Sequence, residues 1–360
     1  MFEGNAATVI GRRVGNYVVE RTLAQGGMGS VFVARHPALG REAAVKFLGQ
    51  DQEVPPEMTK RFLDEARITA ALRHPNIVDI FDFGELDGRL YYVMELLEGR
   101  DLCSLMRARR RFSWGEVLDC LEQVCAGLAA AHAVGVVHRD LKPGNIFVVR
   151  GTPPRIKLMD FGVAKVMTTQ AEQTRYGQII GTPRYMSPEQ ALGQIDRISP
   201  QSDFYSLGVI AYEMLTGTAP FEHESPVMLL VMHVRDAIKP IDSVVEGIPQ
   251  PFSRLIEACL SKDPEDRPES AQSILDSLAG LRQSSEISLG DSTSASSIAL
   301  KPVPEDEAAL LQPSTNVRFV DADTVLGIPE PPPLTPVVER ALEVISQRQP
   351  VLAPQPIPAD

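Results

Sequence analysis

Short runs of apolar residues, each bounded by Gly, Pro or Asp, recur through the first hundred positions of the chain. Such runs are typical of β-strands, and they fall at Tyr17–Leu23, Ser30–Arg35, Ala43–Leu48, Ile77–Phe83 and Leu90–Glu95. One helical pattern interrupts them over residues 57–72, where four side chains share a stripe: Phe62, Ala66, Thr69 and Leu72. The first hundred residues are therefore predicted to form a small, sheet-rich lobe.

From Leu102 onward the apolar residues follow a helical period instead. The predicted helices cover Trp114–Val134, Asp203–Thr216, Val227–Asp236, Phe252–Leu260 and Ser270–Leu281. A sheet-rich lobe followed by a larger helical lobe is an α+β architecture, and the cleft between two such lobes is a natural place for a ligand.

The pattern ends after Leu281, so residues 282–360 are predicted to form an acidic, Pro/Ser-rich and mostly disordered tail. This stretch holds 12 of the 29 prolines and a serine-rich run at Ser284–Ser297, and its 11 acidic residues outnumber its 5 basic ones. Such a composition buries too little apolar surface to offset chain entropy. Within residues 336–348 a helical spacing of apolar residues is explained either by a short docking helix or by chance.

The composition is that of a globular protein with room for one large domain and an appendage. Of the 360 residues 44% are apolar and 23% are charged, and the formal net charge is −12. Nucleic acid is not expected as a main partner, because binding to phosphate backbones needs a cationic surface. No run approaches the roughly 18 apolar residues of a membrane span, and residues 1–13 lack the apolar run of a secretory signal. We therefore expect a cytoplasmic protein.

The four cysteines are too few and too irregularly spaced for a disulfide scaffold or a zinc site. Three of them, Cys120, Cys125 and Cys259, lie in apolar stretches that are predicted to be helical. These three are therefore expected to be reduced thiols packed in the core.

A glycine-rich turn joins the first two predicted strands. It runs through Ala24, Gln25, Gly26, Gly27, Met28, Gly29, Ser30 and Val31. Glycines allow backbone amides to approach phosphate oxygens without obstruction from a Cβ atom. For this segment taken alone, however, an ordinary hairpin turn is the more frequent explanation. A dinucleotide-binding fold would place a helix directly after the glycines, whereas Ser30–Arg35 has the pattern of a strand.

Two charged residues follow that are individually unremarkable. Lys46 stands at the end of an apolar strand, and Glu65 lies on the predicted helix after it. Each alone is most simply a solvated charge, but a lysine held by a glutamate is a positioned cation that grips anionic phosphates.

The strongest chemical signal is the run from His138 to Asn145. Asp140 and Asn145 lie five residues apart in a loop constrained by Pro143 and Gly144, which suits a general base beside an oxygen ligand for a hard cation such as Mg²⁺. Asp160, at the end of the predicted strand Arg155–Met159 and followed by Phe161 and Gly162, would supply a second oxygen ligand to that cation.

Together these segments resemble the protein kinase family in identity and order. The series continues with Gly181–Glu189, Asp203–Gly208 and Asp263–Pro268. The resemblance covers residues 14–281, which implies a bilobal kinase domain with an N-lobe at 14–97 and a C-lobe at 98–281, preceded by a flexible segment at 1–13. Lys142 and Thr182 are similar to the serine/threonine branch, and the run Arg61–Ala66 with His74–Val78 resembles the eukaryotic-like (Hanks-type) kinases of bacteria.

The resemblance implies a non-specific serine/threonine protein kinase that transfers the γ-phosphate of ATP to protein hydroxyls in signalling. Asp140 would be the base, Lys142 would lie near the transferred phosphoryl group, and Lys46 would hold the α- and β-phosphates and pair with Glu65. Asn145 and Asp160 would bind Mg²⁺, for which Mn²⁺ is a substitute. The segment Ala24–Gly29 would cover the phosphates. Adenine would contact a further set of residues: Val31, Ala44, Met94, Glu95, Leu97 and Phe147. Glu189 with Arg267 would form a buried ion pair, and Asp203 would tie the catalytic loop to the helical lobe.

Two positions depart from the family pattern. Ala24 stands where the first glycine of the loop is usual, and Ser187 replaces the usual alanine before Pro188, a change at a packing position. Neither change removes a catalytic group, so activity is expected.

Regulation is expected in the segment between Thr168 and Gly181. Arg139 directly precedes Asp140, and a phosphate added to this segment by autophosphorylation would pair with its guanidinium and order the loop. Thr174 is the first choice of site, Thr168 and Thr169 are alternatives, and plain surface threonines are the less favoured explanation.

Two other functions stay open at this point. One is a pseudokinase that binds nucleotide or serves as a scaffold, with the tail as a site for a partner or for self-association. The other is a kinase of small molecules on the same fold. The joint presence of Lys46, Asp140, Asn145 and Asp160 favours catalysis, and the peptide-docking segment Gly181–Glu189 favours protein substrates.

Overall fold

The structure is a computed structural model, and it describes residues 9–26, 29–48, 66–161 and 183–289. All of these residues fall within one compact unit. They form a sheet-rich N-lobe and a helical C-lobe, so the predicted α+β, two-lobe architecture is confirmed.

The N-lobe is built on a six-stranded sheet in the order β1-β2-β3-β4-β6-β5, and its strand pairs are all antiparallel. The strands are β1 (Arg13–Val14), β2 (Tyr17–Gly26), β3 (Gly29–Arg35), β4 (Glu42–Leu48), β5 (Ile80–Leu86) and β6 (Arg89–Glu95). Helix α1 is described over residues 66–71. Four of the five predicted strands lie where the sequence placed them.

Strand β5 starts three residues later than the predicted strand at Ile77. Ile77 instead forms an isolated parallel bridge with Leu158, and the amide of Val78 donates to the Leu158 carbonyl at 3.0 Å. The apolar run is therefore divided between two partners, because its first residues bind the C-lobe and only the later ones join the N-lobe sheet.

The two faces of the N-lobe sheet bury different sets of side chains. One face packs aromatic rings, with Phe32 edge-on to Phe47 at 5.7 Å between centroids and Tyr91 tilted against Phe47. The other face buries a separate cluster that includes Ala44, Tyr92 and Met94. This second face carries the residues that are predicted to line the cleft.

The C-lobe contains seven described α-helices. They are α2 (Leu102–Ala108), α3 (Trp114–His132), α4 (Pro188–Ala191), α5 (Pro200–Thr216), α6 (Pro226–Arg235), α7 (Gln250–Cys259) and α8 (Ala271–Leu289). Short 3₁₀ turns at Pro143–Asn145, Pro183–Tyr185, Ile195–Arg197, Ile241–Ser243 and Pro264–Asp266 complete the lobe. Ser113 begins α3 with a capping box, since its side chain accepts from the Glu116 amide and the Glu116 carboxylate accepts from the Ser113 amide.

The core of the C-lobe forms around α3 and α5. Fourteen of the seventeen residues of α5 are buried, as expected for a helix that lies inside the lobe. Cys120, Cys125 and Cys259 are free, buried thiols, which confirms the prediction. Burial raises the pKa of Cys120 and of Cys259 to about 12, so both thiols stay protonated at neutral pH.

A second, three-stranded sheet was not predicted apart from its last strand. It consists of β7 (Gly99–Asp101), β8 (Ile146–Val149) and β9 (Arg155–Leu158) in antiparallel order. Strands of three or four residues are too short to show an alternating pattern. Gly99 has φ +156°, and a Cβ atom there would come within 2.1 Å of the Val148 carbonyl oxygen, so only glycine fits this close approach of β7 to β8.

The last helix is longer than predicted, because α8 continues past Leu281 to Leu289. Its extension brings Arg282 onto α3, where Nη2 contacts the Asp119 carboxylate and lies 2.7 Å from Glu122 Oε2. Arg282 therefore belongs to the last helix and not to the predicted tail.

Candidate functional site

The loop after α3 is fixed by the buried carboxylate of Asp203, at the start of α5. Asp203 accepts hydrogen bonds from the backbone amides of His138 (2.8 Å) and Arg139 (2.9 Å), and its Oδ2 lies 2.8 Å from His132 Nε2. One acid therefore ties the loop to two helices, in the role that the family resemblance implied for it.

Arg139 holds the loop in an unusual conformation, with φ +63° in the left-handed region that non-glycine residues rarely adopt. Its carbonyl accepts a 2.7 Å hydrogen bond from Gln190 Nε2. Gln190 is itself oriented by a capping box at the start of α4: Ser187 Oγ accepts from the Gln190 amide, and Gln190 Oε1 accepts from the Ser187 amide. Ser187 thus has a positioning role beyond the packing position that the sequence indicated.

His138 joins the loop to the strand end that carries Asp160. Its Nε2 lies 2.9 Å from the Met159 carbonyl oxygen, and its ring packs against Phe161 with centroids 4.7 Å apart. Burial lowers the pKa of His138 although nearby carboxylates oppose that shift, so the ring stays neutral and donates to the carbonyl.

Asp140 shares one carboxylate oxygen between two neighbours. Asn145 Nδ2 lies 3.2 Å from Asp140 Oδ2 and 2.8 Å from its backbone carbonyl, and Lys142 Nζ lies 3.3 Å from the same Oδ2. The structure therefore brings Asp140, Lys142 and Asn145 together, and the 3₁₀ turn at Pro143–Asn145 is what folds Asn145 back onto Asp140.

Lys46 and Asp160 form an ion pair that joins the two lobes. Lys46 Nζ on β4 lies 2.5 Å from Asp160 Oδ2, with 17% and 26% of the two side chains exposed. The predicted partner of Lys46, Glu65, lies outside the described residues. Asp160 also has positive φ, +55°, which turns its side chain at the end of β9.

Tyr92 is a member of this cluster that the sequence reading missed. Its hydroxyl donates to Asp160 Oδ1, and the ring is buried. Burial, then the negative charge of Asp160, raises the pKa of Tyr92 well above its usual value. A signal was available, because Tyr92 pairs directly with Lys46 across the β4–β6 ladder, and directly paired residues point to the same face of a sheet.

The charge of Asp160 is maintained against burial. Burial alone would raise its pKa. The charge of the Lys46 ammonium opposes that shift, as do the hydrogen bonds from Lys46 and from the Tyr92 hydroxyl, so the pKa of Asp160 is below the usual value. Asp160 is therefore a carboxylate at neutral pH, as a cation ligand must be.

The residues predicted to contact adenine line the cleft-facing side of the N-lobe. Ala44 is paired with Met94 across β4 and β6, and Val31 and Leu97 pack against the same cluster. Phe147 lies on β8 of the C-lobe and is 9% exposed.

The backbone amide of Glu95 is already used inside the protein. It donates to the Asp79 carbonyl at 2.9 Å, so of the Glu95 peptide groups only the carbonyl remains for a ligand. The Glu95 side chain points to the opposite side, where its Oε1 accepts from the Asp79 amide at 2.8 Å and from Lys157 Nζ.

The glycine-rich segment is a β-hairpin, as expected. Gln25 pairs with Ser30 and Gly26 pairs with Gly29, and the strand after the turn is β3 rather than a helix. Gly27 and Met28, at the tip, lie outside the described residues. Ala24 is buried within β2, and its φ is not positive, so an alanine causes no backbone strain there.

The regulatory part of the prediction falls outside the described residues. That part comprises Thr168, Thr169, Thr174, Gly181 and Thr182. The segment that follows is described, and it confirms the predicted buried ion pair: Glu189 Oε1 lies 2.8 Å from Arg267 Nη1, with at most 1% of either side chain exposed.

Within the described ranges there is no cluster of three or more His, Cys, Asp or Glu side chains of the kind that holds a metal without other ligands. A cation between Asp160 and Asn145 would therefore depend on further oxygens, such as those of a phosphate ligand or water. The described part of the chain also has no helix with the length and apolar character needed to cross a bilayer.

Comparison with known proteins agrees with this geometry. Residues 17–278 match the family described as the protein kinase domain. The chain is 39% identical over 296 residues to the serine/threonine-protein kinase Pkn1 of Myxococcus xanthus, covering 82% of this chain and 41% of that protein. It is 41% identical over 274 residues to the serine/threonine-protein kinase PknA of Mycobacterium tuberculosis, covering 74% of this chain and 62% of that protein.

This chain thus spans about two-fifths to three-fifths of the length of these relatives. Among solved structures, the PknI kinase domain of Mycobacterium tuberculosis superimposes with a TM-score of 0.59 at 26% sequence identity, covering 75% of this chain and 98% of that one. The family match covers more than half of the residues of the chain, and it includes the helical lobe, the cleft and the loop of Asp140. The chain therefore belongs to the protein kinase family, among its bacterial Hanks-type serine/threonine members.

Proposed function

We propose that this protein is a serine/threonine protein kinase that transfers the γ-phosphoryl group of ATP to hydroxyls of protein substrates. One observation carries the proposal: five polar side chains of the cleft form two groups that the backbone joins. Lys46 pairs with Asp160, while Asn145 and Lys142 both contact Asp140. The amide of Met159, the residue before Asp160, donates to the Asn145 carbonyl at 2.9 Å and so connects the two groups. A scaffold would not require all five together.

Asp140 is the proposed base. Its carboxylate would accept the proton of the attacking hydroxyl, while Lys142 and Asn145 hold Oδ2 and so fix the direction of the group. Lys142 would then lie beside the negative charge that develops on the transferred phosphoryl group. Little covalent chemistry falls to the protein, since alignment and prepositioned charge supply most of the acceleration in this class of reaction.

The residues present fit a nucleotide with a divalent cation. Asn145 uses Nδ2 on Asp140, which leaves Oδ1 as a ligand, and each oxygen of the ionised Asp160 keeps a lone pair beside its bond to Lys46 or Tyr92. Magnesium, or manganese in its place, would neutralise charge on the phosphates when bound. Lys46 would bind the phosphates from the N-lobe side, and the Glu95 carbonyl and the Leu97 backbone would bind adenine.

The peptide substrate would lie against the shallow depression beside Asp140. Lys142, Tyr185 and Gln190 line it together with Arg139. Arg184 and Tyr185 are held by Glu213, at 3.0 and 2.7 Å, which fixes the segment that would support the acceptor residue. A fixed peptide platform favours protein acceptors over small molecules.

The direct test compares Asp140→Asn with the unchanged protein, with labelled ATP, Mg²⁺ and a generic basic protein as acceptor. Loss of the base should lower the rate by about 10²–10⁴. The control Asp276→Asn makes the same chemical change on the surface of α8, where Asp276 accepts from Gln272 of the same helix at 2.8 Å, and should leave the rate unchanged. Nucleotide binding without transfer by the unchanged protein would identify a pseudokinase instead.

We also propose that autophosphorylation controls the activity, with Thr174 as the first site and Thr168 or Thr169 as alternatives. Arg139, next to Asp140, is the proposed partner of the phosphate. Thr174→Ala should lose one phosphate by mass spectrometry and lose activity in parallel. Full activity with an unchanged phosphate count would disprove this choice of site.

A further inference from the structure

A cavity of about 700 Å³ lies behind the segment that joins the lobes, on the side of Glu95 opposite its predicted adenine contact. Its lining includes four cationic side chains, Arg73, Arg150, Arg155 and Lys157, against two carboxylates, those of Asp79 and Glu95. In a chain with a formal net charge of −12, this local excess of positive charge is unusual. The proposed kinase mechanism does not use it.

Three of these cations are available to a ligand. Arg73, Arg150 and Arg155 are exposed, and within the described part of the chain their guanidinium groups make no hydrogen bond or ion pair. Other arginines of similar exposure behave differently, since Arg12 and Arg35 both pair with carboxylates. Three unpaired guanidinium groups around one cavity form a potential anion site.

The backbone beneath these arginines is fixed. The Arg150 amide donates to the Glu98 carbonyl at 2.8 Å, and Arg155 pairs with Val149 in the β8–β9 ladder. Gln123 holds the turn between these strands, donating to the Pro154 carbonyl at 3.4 Å and accepting from the Ile156 amide at 2.8 Å. A site on rigid backbone loses less entropy when a ligand binds.

His74 adds a neutral donor to the rim of the cavity. Its Nδ1 accepts from the Asn76 amide at 3.2 Å, so the proton of the neutral ring is on Nε2. Burial, followed by the charge of Lys157, lowers the pKa of His74 and keeps the ring neutral at physiological pH. It can donate to an anion without adding to the repulsion among the cations.

We propose that this cavity binds a dianionic phosphate group. A planar guanidinium group donates two parallel hydrogen bonds to a pair of phosphate oxygens. Three arginines together offer more donors than the two oxygens of a carboxylate can accept, which favours a phosphate as the ligand. The phosphate belongs either to a small phosphorylated molecule or to a phosphorylated side chain of this same chain.

The floor of the cavity connects the site to the cleft. Lys157 Nζ contacts Glu95 Oε1 and donates to the Ile77 carbonyl at 3.1 Å, so an anion that attracts Lys157 weakens its hold on Glu95. Glu95 is also the residue whose carbonyl is proposed to bind adenine. This second step rests on the proposed function, and reciprocal coupling then requires that phosphate and ATP alter each other's affinity.

The test measures binding of inorganic pyrophosphate to the full chain by calorimetry, without divalent cations. A Lys46→Met background removes one cation of the nucleotide cleft and so weakens binding there; because Lys142 remains in the cleft, the cavity variants, and not the background alone, locate the site. Arg73→Gln and Arg155→Gln should each weaken binding by about 10-fold, the usual scale for one charge-assisted contact. Arg235→Gln, an exposed arginine at the end of α6, is the matched control and should bind like the background protein.

Equal pyrophosphate affinity in the cavity variants and the control, or no binding in any of them, would overturn the proposal. Neither outcome depends on ATP or on phosphotransfer, so failure here is distinct from failure of the kinase assignment.

A second arm identifies the source of the phosphate with the unchanged protein. If the ligand is a phosphorylated side chain of this chain, prior incubation with ATP should weaken pyrophosphate binding at least about 10-fold relative to phosphatase-treated protein. If it is a small molecule, the two preparations should bind equally. In both cases Arg73→Gln must weaken the binding, and persistence of full binding in that variant would contradict the site.

Discussion

Two ion pairs of this protein differ in their exposure to solvent and in the parts of the molecule that they join, although both connect a cationic side chain to a carboxylate. Lys46 and Asp160 meet across the cleft with 17% and 26% of their side chains exposed, whereas Arg267 and Glu189 are 0% and 1% exposed. The first pair joins two lobes and the second lies inside one. The difference separates groups placed to exchange partners from groups placed to hold the fold.

Arg267 has an acceptor for each of its five N–H groups. Two go to Glu189, at 2.8 and 2.9 Å, and the others go to three backbone carbonyls: those of Ser261, Gln201 and Lys262. Glu189 accepts in addition from Ser202 at 2.6 Å. A buried charge with every donor satisfied resists exchange, because any new partner would first have to displace an existing one.

Arg267→Met should give the largest loss of stability of the variants considered for this comparison. Removing one partner of a buried pair leaves the other charge unpaired and costs about 3–5 kcal/mol, to be measured as the free energy of unfolding in urea. Lys46→Met should cost less than Arg267→Met, because 17% and 26% of the two side chains stay exposed to water, while it abolishes phosphotransfer.

The double variant Glu189→Leu with Arg267→Met is the control for this prediction, because no unpaired charge remains. It should be more stable than Arg267→Met alone. A double variant that is equally or less stable would show that the network of carbonyl acceptors, and not the charge pair, is the main contribution.

The stability of the buried C-lobe region around Arg267 should also depend on pH, whereas that of the open cleft should not depend on His233. His233 lies beside Tyr205, whose hydroxyl is 2.9 Å from its Nδ1, and burial followed by the charge of Lys262 lowers the pKa of His233 from 6.5 to about 4. The unfolded state therefore binds a proton between pH 6.5 and 4 that the folded state does not. Stability should fall with acid across that window, by up to about 3 kcal/mol.

The measurement is the free energy of unfolding at a series of pH values for the unchanged protein and for His233→Gln. The variant should be less stable at pH 7 and should have a flatter slope between pH 6.5 and 4.5. Burial opposes the ionisation of Glu189, but Arg267 lowers the pKa of this carboxyl below its usual value. Protonation of Glu189 below that pH range should therefore reduce the stability further. Parallel slopes in the two proteins would contradict the prediction.

The smallest effect concerns a residue of the cleft that bears no charge. Gln190→Ala removes the 2.7 Å bond to the Arg139 carbonyl and leaves the left-handed residue before Asp140 with less support. We expect kcat to fall about 10-fold, the equivalent of one hydrogen bond of about 1.4 kcal/mol. KM for ATP should stay the same, because Gln190 lies on the peptide side.

Gln201→Ala is the matched control, since the side chain of this glutamine also donates to a backbone carbonyl, but to that of Glu269 and not to one of the catalytic loop. Its kcat should equal that of the unchanged protein. If both glutamine variants slow the reaction equally, the effect is one of general stability and the positioning role of Gln190 is wrong.

The sequence predicted the elements well where the pattern was long. The helix at α3 and the strands at β3, β4 and β6 all lie within about two residues of their predicted bounds. Strands β7 and β8 were missed because three or four residues carry no period, and β5 was shifted because its apolar run serves two partners. Helix α8 was ended too early, since serines and an arginine replace the apolar stripe.

In the candidate site the sequence indicated the charged residues but not their supports. Asp140, Asn145 and Asp160 stand out as rare residue types in a recognisable order, whereas Tyr92 and Gln190 act through partners distant in the chain, at separations of 68 and 51 residues. Such contacts depend on strand register and loop path. The Ser187–Gln190 capping box was nonetheless legible in the sequence as Ser-x-x-Gln.

The contact of Arg282 with α3 affects where the C-terminal boundary of a recombinant fragment should lie. A fragment that stops at residue 278, the last position matched by the family, would leave Asp119 and Glu122 side by side without their cation. Burial already raises the pKa of Asp119, and without Arg282 the repulsion between the two carboxylates would favour the ionisation of only one of them. A recombinant fragment that ends after Leu289 would keep this neutralisation and should be the better-behaved sample.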